Sequence, residues 1–455
     1  MIQTTKNYST ALFILASVLL LATGFWNGFP FLYPDDGTYL ASGFMPEMPM
    51  DRPITYGLFI YATSLGGLSL WGTIGVQAVM TSWVIYQVLK AYFPTENIDK
   101  QFVTILLFLT LTSSISFLTS QLMTDCFTPL LLLTQLLLVA DAPLSKRTRQ
   151  GLLGIYFLTT AMHISHVPYN CCLIALYFGL FLCAKKQLPF IKIKTIAWLL
   201  GLTLLSIGTM SPPIAKSSHA FRIGSMITKG ILPKVLDAKC AEKNWKLCQY
   251  RDSMPVSLED FVWNDNSPLN KIGLEASKKE FNDIIWTSYT TPSLLKLQIK
   301  ESIQATGTQL QYFSVCEGNA PFVKGSVAFD ELERRCPTQT PQYLRSRQAQ
   351  NQLLIPVNAF NYFLKYFVYA LLFGCFGLFF NKKLWSNPNA KLRFFLLTLF
   401  LGMFLNAWLC ATLVYPTNRY GTKMIWLIHL AFALILMTLS YEKPNKLENI
   451  RPFAG

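Results

Sequence analysis

Residues 394–415 of the chain read FFLLTLFLGMFLNAWLCATLVY, without a single charged side chain. An α-helix of about 20 apolar residues crosses the hydrocarbon core of a bilayer. Comparable stretches recur along the chain, and we predict spans at 9–28, 72–92, 102–119, 124–141, 150–166, 168–184, 195–213, 357–380, 394–415 and 424–440. The sequence therefore predicts an all-α polytopic membrane protein with about ten transmembrane helices.

The composition agrees with this prediction. Of the 455 residues, 52% are hydrophobic and only 14% are charged, and the mean hydropathy is +0.35. Soluble domains carry about a quarter charged residues, so an ordinary water-soluble enzyme is excluded. The 39 Lys and Arg exceed the 24 Asp and Glu and give a net charge of +15. About half of these basic residues, 20 of 39, lie in short loops and tails beside the spans and do not form one basic patch, so we expect no nucleic-acid partner.

The basic residues are distributed unevenly between the two ends of the predicted spans. With the N-terminus in the cytoplasm, the inner loops and tails hold 17 of them, whereas the short outer loops hold only Arg52, Arg419 and Lys423. Cytoplasmic loops of membrane proteins carry such an excess. We therefore expect both termini in the cytoplasm and the protein in the inner membrane of a bacterium.

A long polar segment separates the seventh span from the eighth on the outer side. Its apolar residues recur at helical spacing, as in Leu294, Leu295, Leu297, Ile299 and Ile303. We therefore predict a transmembrane module at 1–213, which includes a first outer loop at 29–71, a mostly helical extracytoplasmic domain at 214–356 and a second transmembrane module at 357–455.

Four of the ten cysteines fall in this outer segment, where disulfides can form: Cys240, Cys248, Cys316 and Cys336. The pairs Cys240–Cys248 and Cys316–Cys336 are plausible, although the sequence alone allows three connectivities. The other six cysteines lie in or beside spans, and we interpret them as small apolar residues.

Paired carboxylates follow the first span directly. Pro34 ends the helix, so Asp35 and Asp36 emerge as the chain leaves the bilayer, and Asp51 and Arg52 follow in the same loop. Adjacent like charges raise one pKa unless a cation compensates, and Arg52 is the nearest candidate. The pair is either a solvated loop and helix cap, or a general base or metal ligand at the membrane surface.

Two more candidate sites lie at the outer ends of spans four and five. Asp125 is either a helix N-cap or a member of a carboxylate cluster with the first outer loop. His163 and His166 would share one helix face. They are structural residues at the interface, donors to a phosphate, or a metal pair that lacks an obvious third ligand.

The segment Asn418-Arg419-Tyr420-Gly421-Thr422-Lys423 precedes the last span. It is either an anchor at headgroup depth or a lipid-phosphate site, since the planar guanidinium group of arginine suits a phosphate. In the second case Arg419 and Tyr420 would act with Lys423 or with Lys365 of the eighth span.

Together these residues resemble the first outer loop of GT-C-fold glycosyltransferases, and above all the protein-mannosyltransferase and lipid A aminoarabinose-transferase families. The resemblance rests on the acidic pair, on Arg52-Pro53 with Tyr56 in a second apolar stretch, and on Arg419-Tyr420 before a late span. It covers about 1–180 and 357–440 but not the insert. Those families usually show Lys-Pro-Pro where this chain has Arg52-Pro53-Ile54.

The resemblance implies a GT-C-like membrane enzyme that transfers a sugar from a polyprenyl-phosphate donor to a lipid, polysaccharide or protein acceptor at the outer leaflet. Asp35 or Asp36 would deprotonate the acceptor, with inversion, and Arg419 with Arg52 would stabilise the departing phosphate. Asp125 would position the acceptor or bind a divalent cation. Whether Mg²⁺ or Mn²⁺ takes part is left open, because the donor carries only one phosphate.

Two other classes of function fit part of the pattern. A lipid or glycan transporter would place ionisable residues at mid-depth in several spans, but Lys365 is the main such residue here. A non-catalytic envelope-assembly protein would tolerate Asp35→Asn and Asp36→Asn and would lose function on deletions in 214–356. We favour the enzyme, partly by analogy at the level of the fold.

Overall fold

The computed structural model describes residues 10–45, 47–94, 97–386 and 389–440, so the two predicted cytoplasmic termini lie outside the described residues. Apart from short 3-10 helices and an isolated bridge between Phe31 and Gln121, the regular structure in these ranges is α-helical. The α-helices, in chain order, are α1 Thr10–Leu20, α2 Ala22–Asn27, α3 Asp36–Phe44, α4 Thr55–Thr63, α5 Leu70–Tyr92, α6 Ile98–Thr112, α7 Ile115–Thr119, α8 Phe127–Val139, α9 Lys146–Ala161, α10 His166–Cys183, α11 Ile193–Thr228, α12 Ile231–Lys239, α13 Leu258–Trp263, α14 Pro268–Ile272, α15 Leu274–Thr290, α16 Pro292–Gln309, α17 Val327–Arg335, α18 Thr340–Leu344, α19 Leu354–Phe379, α20 Ala390–Leu413 and α21 Asn418–Ser440. The prediction of a helical fold is confirmed.

Four of these helices, α10, α19, α20 and α21, are long and apolar enough to cross a membrane. A helix lies in each of the ten predicted spans, but several are short, with 11 residues in α1, 15 in α6 and 13 in α8. The four long helices indicate a helical membrane protein, and the count of about ten spans stays a prediction.

The longest helix, α11, runs through the predicted boundary between the first transmembrane module and the insert. Its 36 residues extend about 54 Å at 1.5 Å per residue, well beyond the roughly 30 Å of a hydrocarbon core. The boundary predicted at 213 therefore falls inside a continuous helix. The insert begins as an extension of that helix and not as a loop.

The segment predicted as a single outer domain contributes to separate hydrophobic cores. Its first part encloses a core of its own, which includes Ile223, Leu232, Phe261 and Phe281. Its second part adds to the main core of the bundle the side chains of Phe329, Leu332, Cys336 and Tyr343. Only the first part thus has the separate core expected of a domain.

Two buried glutamines fix the second part of the insert to the first outer loop. Gln339 donates from Nε2 to the carbonyl oxygen of Gly67 at 2.7 Å and accepts from the amide of Leu70 at 2.8 Å. Gln348 accepts from the amide of Leu32 at 3.0 Å and donates to its carbonyl oxygen at 2.8 Å. These bonds satisfy backbone groups that burial would otherwise leave unpaired. The loop is therefore held near both of its ends.

One of the two predicted disulfides is present. Cys240 and Cys248 are bonded, and their Cα atoms are 5.9 Å apart. The predicted Cys316–Cys336 pair is wrong, because both residues are free thiols. Cys316 packs with the cluster between α19 and α21, whereas Cys336 is buried in the main core, so the two side chains belong to different clusters.

The two helices of the first outer loop, α3 and α4, cross at a pair of glycines. A Cβ atom on Gly43 would overlap the carbonyl group of Gly57, and one on Gly57 would overlap the backbone of α3. Only glycine permits this approach of two backbones. The crossing fixes the direction of α3, whose first residue is Asp36.

Gly43→Ala is expected to destabilise the protein by about 1–3 kcal/mol, because the new methyl group forces α3 and α4 apart. Gly75→Ala in α5 is the matched control, since a Cβ atom there meets nothing within 4 Å. The control should be stabilised by about 0.5–1 kcal/mol. Thermal unfolding of both variants in one detergent measures the difference, and equal stabilities would contradict the close crossing.

Candidate active site

Arg419 joins the first outer loop to the segment before α8. It lies in the first turn of α21, where its Nε donates to Asp125 Oδ2 at 2.5 Å and its Nη1 to Asp35 Oδ2 at 3.0 Å. Nζ of Lys423 lies 3.7 Å from the other carboxylate oxygen of Asp125. Only 16% of the Arg419 side chain and 5% of the Asp125 side chain are exposed, so water screens this pair weakly.

A second arginine extends the cluster on the other side of Asp35. Nη1 of Arg52 lies 3.2 Å from Asp35 Oδ1, and its Nη2 lies 2.5 Å from Asp51 Oδ2. Opposite charges alternate along the cluster, which we call the ion-pair chain and which consists of Asp51, Arg52, Asp35, Arg419, Asp125 and Lys423. The structure thus brings together predicted acidic and basic residues from both ends of the sequence.

Asp35 is held between two guanidinium groups. Burial acts to raise the pKa of its carboxyl group, but the charges of Arg52 and Arg419 bring that pKa below its ordinary value. Asp35 is therefore ionised at neutral pH. Removing one partner from a buried ion pair costs about 3–5 kcal/mol, so the cluster stays assembled unless another anion replaces a carboxylate.

The pKa of the neighbouring carboxyl group, that of Asp36, is shifted in the opposite direction. Its side chain is fully buried, and its Oδ2 accepts from the amide of Tyr33 at 2.8 Å. No described residue donates to its Oδ1. Burial, and then the negative charge of Asp35, raise the pKa of Asp36 well above its ordinary value. One member of the acidic pair is thus charged, and the other favours its protonated form.

Aromatic rings cover two of the cations. Cζ of Arg419 lies 4.8 Å from the centre of the Tyr33 ring, and Nζ of Lys423 lies 5.2 Å from the centre of the Tyr420 ring. Such contacts stabilise a positive charge where little water reaches it. Tyr420, predicted to bind a phosphate, lies against the cations of the cluster.

Two backbone hydrogen bonds hold the segment before Asp125 beside the first outer loop. The amide of Phe31 donates to Ser120, and the amide of Leu122 donates back to Phe31 at 3.0 Å. The chain then turns into the 3-10 helix Thr124–Cys126, which contains Asp125. Neither this helix nor α8 has a side-chain N-cap bond, so the interpretation of Asp125 as a cap is wrong.

Residues 310–321, here called the strap, lie across the start of α21. Oγ1 of Thr422 donates to the carbonyl oxygen of Ser314 at 2.8 Å. The amide of Val315 donates to Oδ1 of Asn361 in α19 at 2.8 Å. The strap is therefore fixed to both helices that flank it.

Glu317 of the strap contacts the residue at the centre of the cluster. Its carboxylate accepts from the backbone amide of Arg419 at 2.9 Å and from Nδ2 of Asn418 at 3.1 Å. On either side, Cys316 (φ 62°) and Gly318 (φ 80°) adopt the left-handed conformation, which a non-glycine residue rarely takes. Glu317 cannot be singled out from the sequence, because it is one of many acidic residues in the insert and no motif surrounds it.

Two cavities meet at the strap. The smaller holds about 30 Å³ and is lined by Tyr33, Gln121, Asp125 and Arg419 together with strap residues. The larger holds about 700 Å³ and opens between the strap and the first three turns of α19; we call it the groove. Residues 314–317 and 319 line both, so the groove adjoins the ion-pair chain.

Lys365 lies on the wall of the groove and apart from the ion-pair chain. It is exposed and forms no ion pair with any residue that the structure describes. A lysine within a membrane-crossing helix is costly unless it faces a cavity or water. Asn358 and Asn361 line the same groove, at positions that share a face of α19 with Lys365. The helix therefore presents a polar row to the groove.

The two histidines form no metal pair. Nε2 of His166 lies 2.8 Å from Oγ1 of Thr128, and its Nδ1 lies 2.6 Å from the carbonyl oxygen of Thr159, so both ring nitrogens are engaged. Nδ1 of His163 bonds Oγ of Ser165 at 2.8 Å. The metal pair, one of three interpretations of these histidines, does not fit this arrangement, and a role for them in binding substrate stays a prediction.

The carboxylates do not supply a metal site in this arrangement either. Asp35 and Asp125 both turn an oxygen toward Arg419. Within the described ranges, no three His, Cys, Asp or Glu side chains come together as metal ligands. The donor set in this arrangement therefore does not fit a divalent cation.

No protein-family profile matches the chain, and no curated protein or solved structure is similar to it. The likeness to GT-C glycosyltransferases therefore stays a prediction.

Asp36→Asn is expected to stabilise the protein more at pH 7 than at pH 4. The pKa of Asp36 is higher in the folded protein than in the unfolded chain. Above about pH 3.9, the folded protein therefore binds more protons than the unfolded chain. Wild-type stability therefore falls as the pH rises from there toward the folded pKa, and an uncharged asparagine escapes that loss. Thermal unfolding across this pH range measures the effect.

The control for this prediction is Asp237→Asn, which removes a half-exposed carboxylate paired with Arg251. Exposed pairs contribute about 0–1 kcal/mol, so this variant should follow the wild type across the pH range. A stability difference between Asp36→Asn and wild type that does not change with pH would contradict the raised pKa.

Proposed function

We propose that the protein is an integral membrane glycosyltransferase that moves a sugar from a polyprenyl-phosphate donor to an acceptor hydroxyl or amine at the outer face of the membrane. One observation carries the proposal. Carboxylates of the first outer loop and cations at the start of the last helix, as far apart in sequence as 384 residues, share one cluster beside a groove on a membrane helix. Such a transfer needs a base, cations for a phosphate and access for a lipid tail.

The groove suits the lipid-linked donor. Its volume of about 700 Å³ is within the range of small-molecule sites, about 300–1,000 Å³. Large apolar side chains of α19, such as Ile355 and Phe373, are exposed as they would be toward lipid, so an isoprenoid chain can reach the groove from the bilayer. Lys365 offers the phosphate a positive charge, and Asn358 offers it an amide donor.

The donor phosphate would compete with the carboxylates for Arg419. The planar fork of a guanidinium group binds a phosphate as it binds a carboxylate. If Arg419 turns to the phosphate, Asp35 loses one of the two cations that lower its pKa. The carboxylate then becomes a stronger base at the moment when the donor is in place. Donor binding and activation of the base are thereby coupled.

In the proposed reaction, Asp35 is the general base. The acceptor oxygen or nitrogen bonds to the anomeric carbon, the bond between that carbon and the phosphate oxygen breaks with its electron pair on the oxygen, and the acceptor proton passes to Asp35. Attack opposite the leaving phosphate inverts the anomeric configuration. Arg419 and Arg52 stabilise the charge that develops on the phosphate.

The remaining carboxylates support this arrangement. Asp125 orients Arg419 through the bond to its Nε. Asp36 is fully buried and holds the amide of Tyr33, so we assign it to the positioning of the loop and not to proton transfer. This assignment separates the roles of two residues that the sequence left equivalent.

With this function we propose the topology that the basic residues predict. It has ten spans, both termini in the cytoplasm of a bacterium, and the insert outside the inner membrane. The ion-pair chain would then lie at the outer surface, where a lipid, polysaccharide or protein acceptor can approach it.

Asp35→Asn is expected to abolish transfer, because loss of a general base typically costs about 10²–10⁴-fold in rate. Lipids would be extracted from cells that lack the protein and from cells with wild type, Asp35→Asn or the surface control Asp237→Asn. A sugar-charged polyprenyl phosphate should accumulate without the protein and with Asp35→Asn only. If Asp35→Asn is present in the membrane and leaves the lipid pool as in wild type, the proposed chemistry is wrong.

Lys365→Met is expected to raise the KM for the donor about tenfold or more and to change kcat little. A charge-assisted hydrogen bond to a phosphate contributes about 1.5–3 kcal/mol, equally before and during the reaction. Lys382→Met, beyond the other end of α19, is the control and should leave KM unchanged. Reconstituted enzyme with a synthetic donor measures both constants, and a fall in kcat at constant KM would contradict this placement of the donor.

A further inference from the structure

The helix α16 of the insert has an unusual distribution of polar and apolar side chains. Its buried residues include three polar ones, Gln298, Thr306 and Gln309. Its exposed residues, with the residue that follows it, include four large apolar ones, Leu295, Ile299, Ile303 and Leu310. Helices of soluble domains bury the apolar side and expose the polar one. The exposed side of α16 is therefore more apolar than a helix surface in contact with water usually is.

The four exposed apolar residues form one row. Their spacings of four, four and seven residues place them on one side of the helix. The exposed fractions are 37% for Leu295, 52% for Ile299, 69% for Ile303 and 49% for Leu310. Exposed apolar residues that share one side of a helix mark an interaction surface.

The contacts of α16 place this row at the end of a membrane helix. α16 packs against α20, one of the four candidate spans. Oγ of Ser302, next to Ile303, lies 2.8 Å from Oγ1 of Thr412 near the end of α20. One turn before Thr412, Trp408 is 38% exposed, and tryptophan is enriched where helices leave the hydrocarbon. The row therefore lies beside the end of a helix that is long and apolar enough to cross a membrane.

We propose that α16 lies in the membrane interface, with Leu295, Ile299, Ile303 and Leu310 among the lipid acyl chains. The exposed Lys296 and Lys300 each follow a residue of the row, so their long side chains reach the phosphates of anionic headgroups. The partner of this surface is thus the bilayer itself. The inference requires that α20 crosses the membrane, and it does not depend on the proposed transfer of a sugar.

This contact also determines the position of the strap. α16 ends at Gln309, directly before the strap, and Gln309 exchanges two hydrogen bonds of 2.9 and 3.0 Å with the backbone of Thr417. A helix held in the interface therefore holds the strap, and with it Glu317, at a fixed depth beside Arg419.

Tryptophan fluorescence of the full chain in vesicles tests the inference. Ile299→Trp places a reporter in the row, and Gln304→Trp places one at an exposed position on another side of the same helix. The vesicles contain phosphatidylcholine and phosphatidylglycerol, with acyl chains either unmodified or brominated close to the headgroup. The emission that Ile299→Trp adds to wild type should be quenched several-fold more by the brominated lipid than the emission that Gln304→Trp adds. Iodide in the water should show the reverse order.

The contradicting results are equally specific. If iodide quenches both reporters alike and brominated lipid quenches neither, the row faces water and the inference is wrong. If neither agent quenches Ile299→Trp, a protein surface covers the row and the lipid assignment is wrong. Matching thermal unfolding of both variants and wild type verifies that the fold is intact.

A second measurement tests the headgroup contact. Replacing phosphatidylcholine in part by phosphatidylglycerol should increase the quenching of Ile299→Trp by brominated lipid. This increase should disappear when Lys296→Gln and Lys300→Gln are added. An increase that persists after both lysines are replaced would show that Lys296 and Lys300 do not contact the anionic lipid.

Discussion

Neutralisation of buried charge by Arg419 is the constraint on which the site depends. Without this guanidinium group, Asp35 and Asp125 would lie close together with little water and with like charge, which is costly. The charge of Arg419 therefore stabilises the contact between the start of α21, the first outer loop and the segment before α8. Lipid tails are as apolar as the side chains that face them, so apolar packing alone does not determine how helices in a membrane lie relative to one another. Polar contacts of this kind determine it.

The cations of the ion-pair chain and the cation of the groove differ in one respect. Arg52, Arg419 and Lys423 are occupied by carboxylates of the chain itself, whereas Lys365 has no such partner among the described residues. An incoming phosphate can thus bind at Lys365 without displacing anything and must displace a carboxylate to reach Arg419. The strap lies between Lys365 and Arg419, so the proposed donor would meet Lys365 first and Arg419 second.

The sequence was sufficient to predict features that depend on local composition or on the small number of cations in the short outer loops. Apolar stretches predict the helices, and the few cations expected in short outer loops all belong to the ion-pair chain, because a partly buried charge needs a partner. Features that depend on distance in space could not be predicted. The free thiol of Cys316 and the contact between Glu317 and Arg419 arise from the folded path of the strap. The continuation of α11 beyond the apolar stretch could not be predicted, because a change from apolar to polar residues shows where the surroundings of a helix change and not where the helix ends.

The unbroken α11 has a consequence for how such a chain can vary during evolution. Each residue inserted into or deleted from a helix turns everything beyond it by about 100° and moves it by about 1.5 Å. Near the end of α11, Ser225 and Lys229 donate to the carbonyl oxygens of Val414 and Thr412, so the helix is tied to the bundle again after leaving it. A change in the number of residues of α11 before Ser225 would displace both donors and break both bonds at once. Related chains are therefore expected to vary in length in their loops and to keep the number of residues in α11 constant.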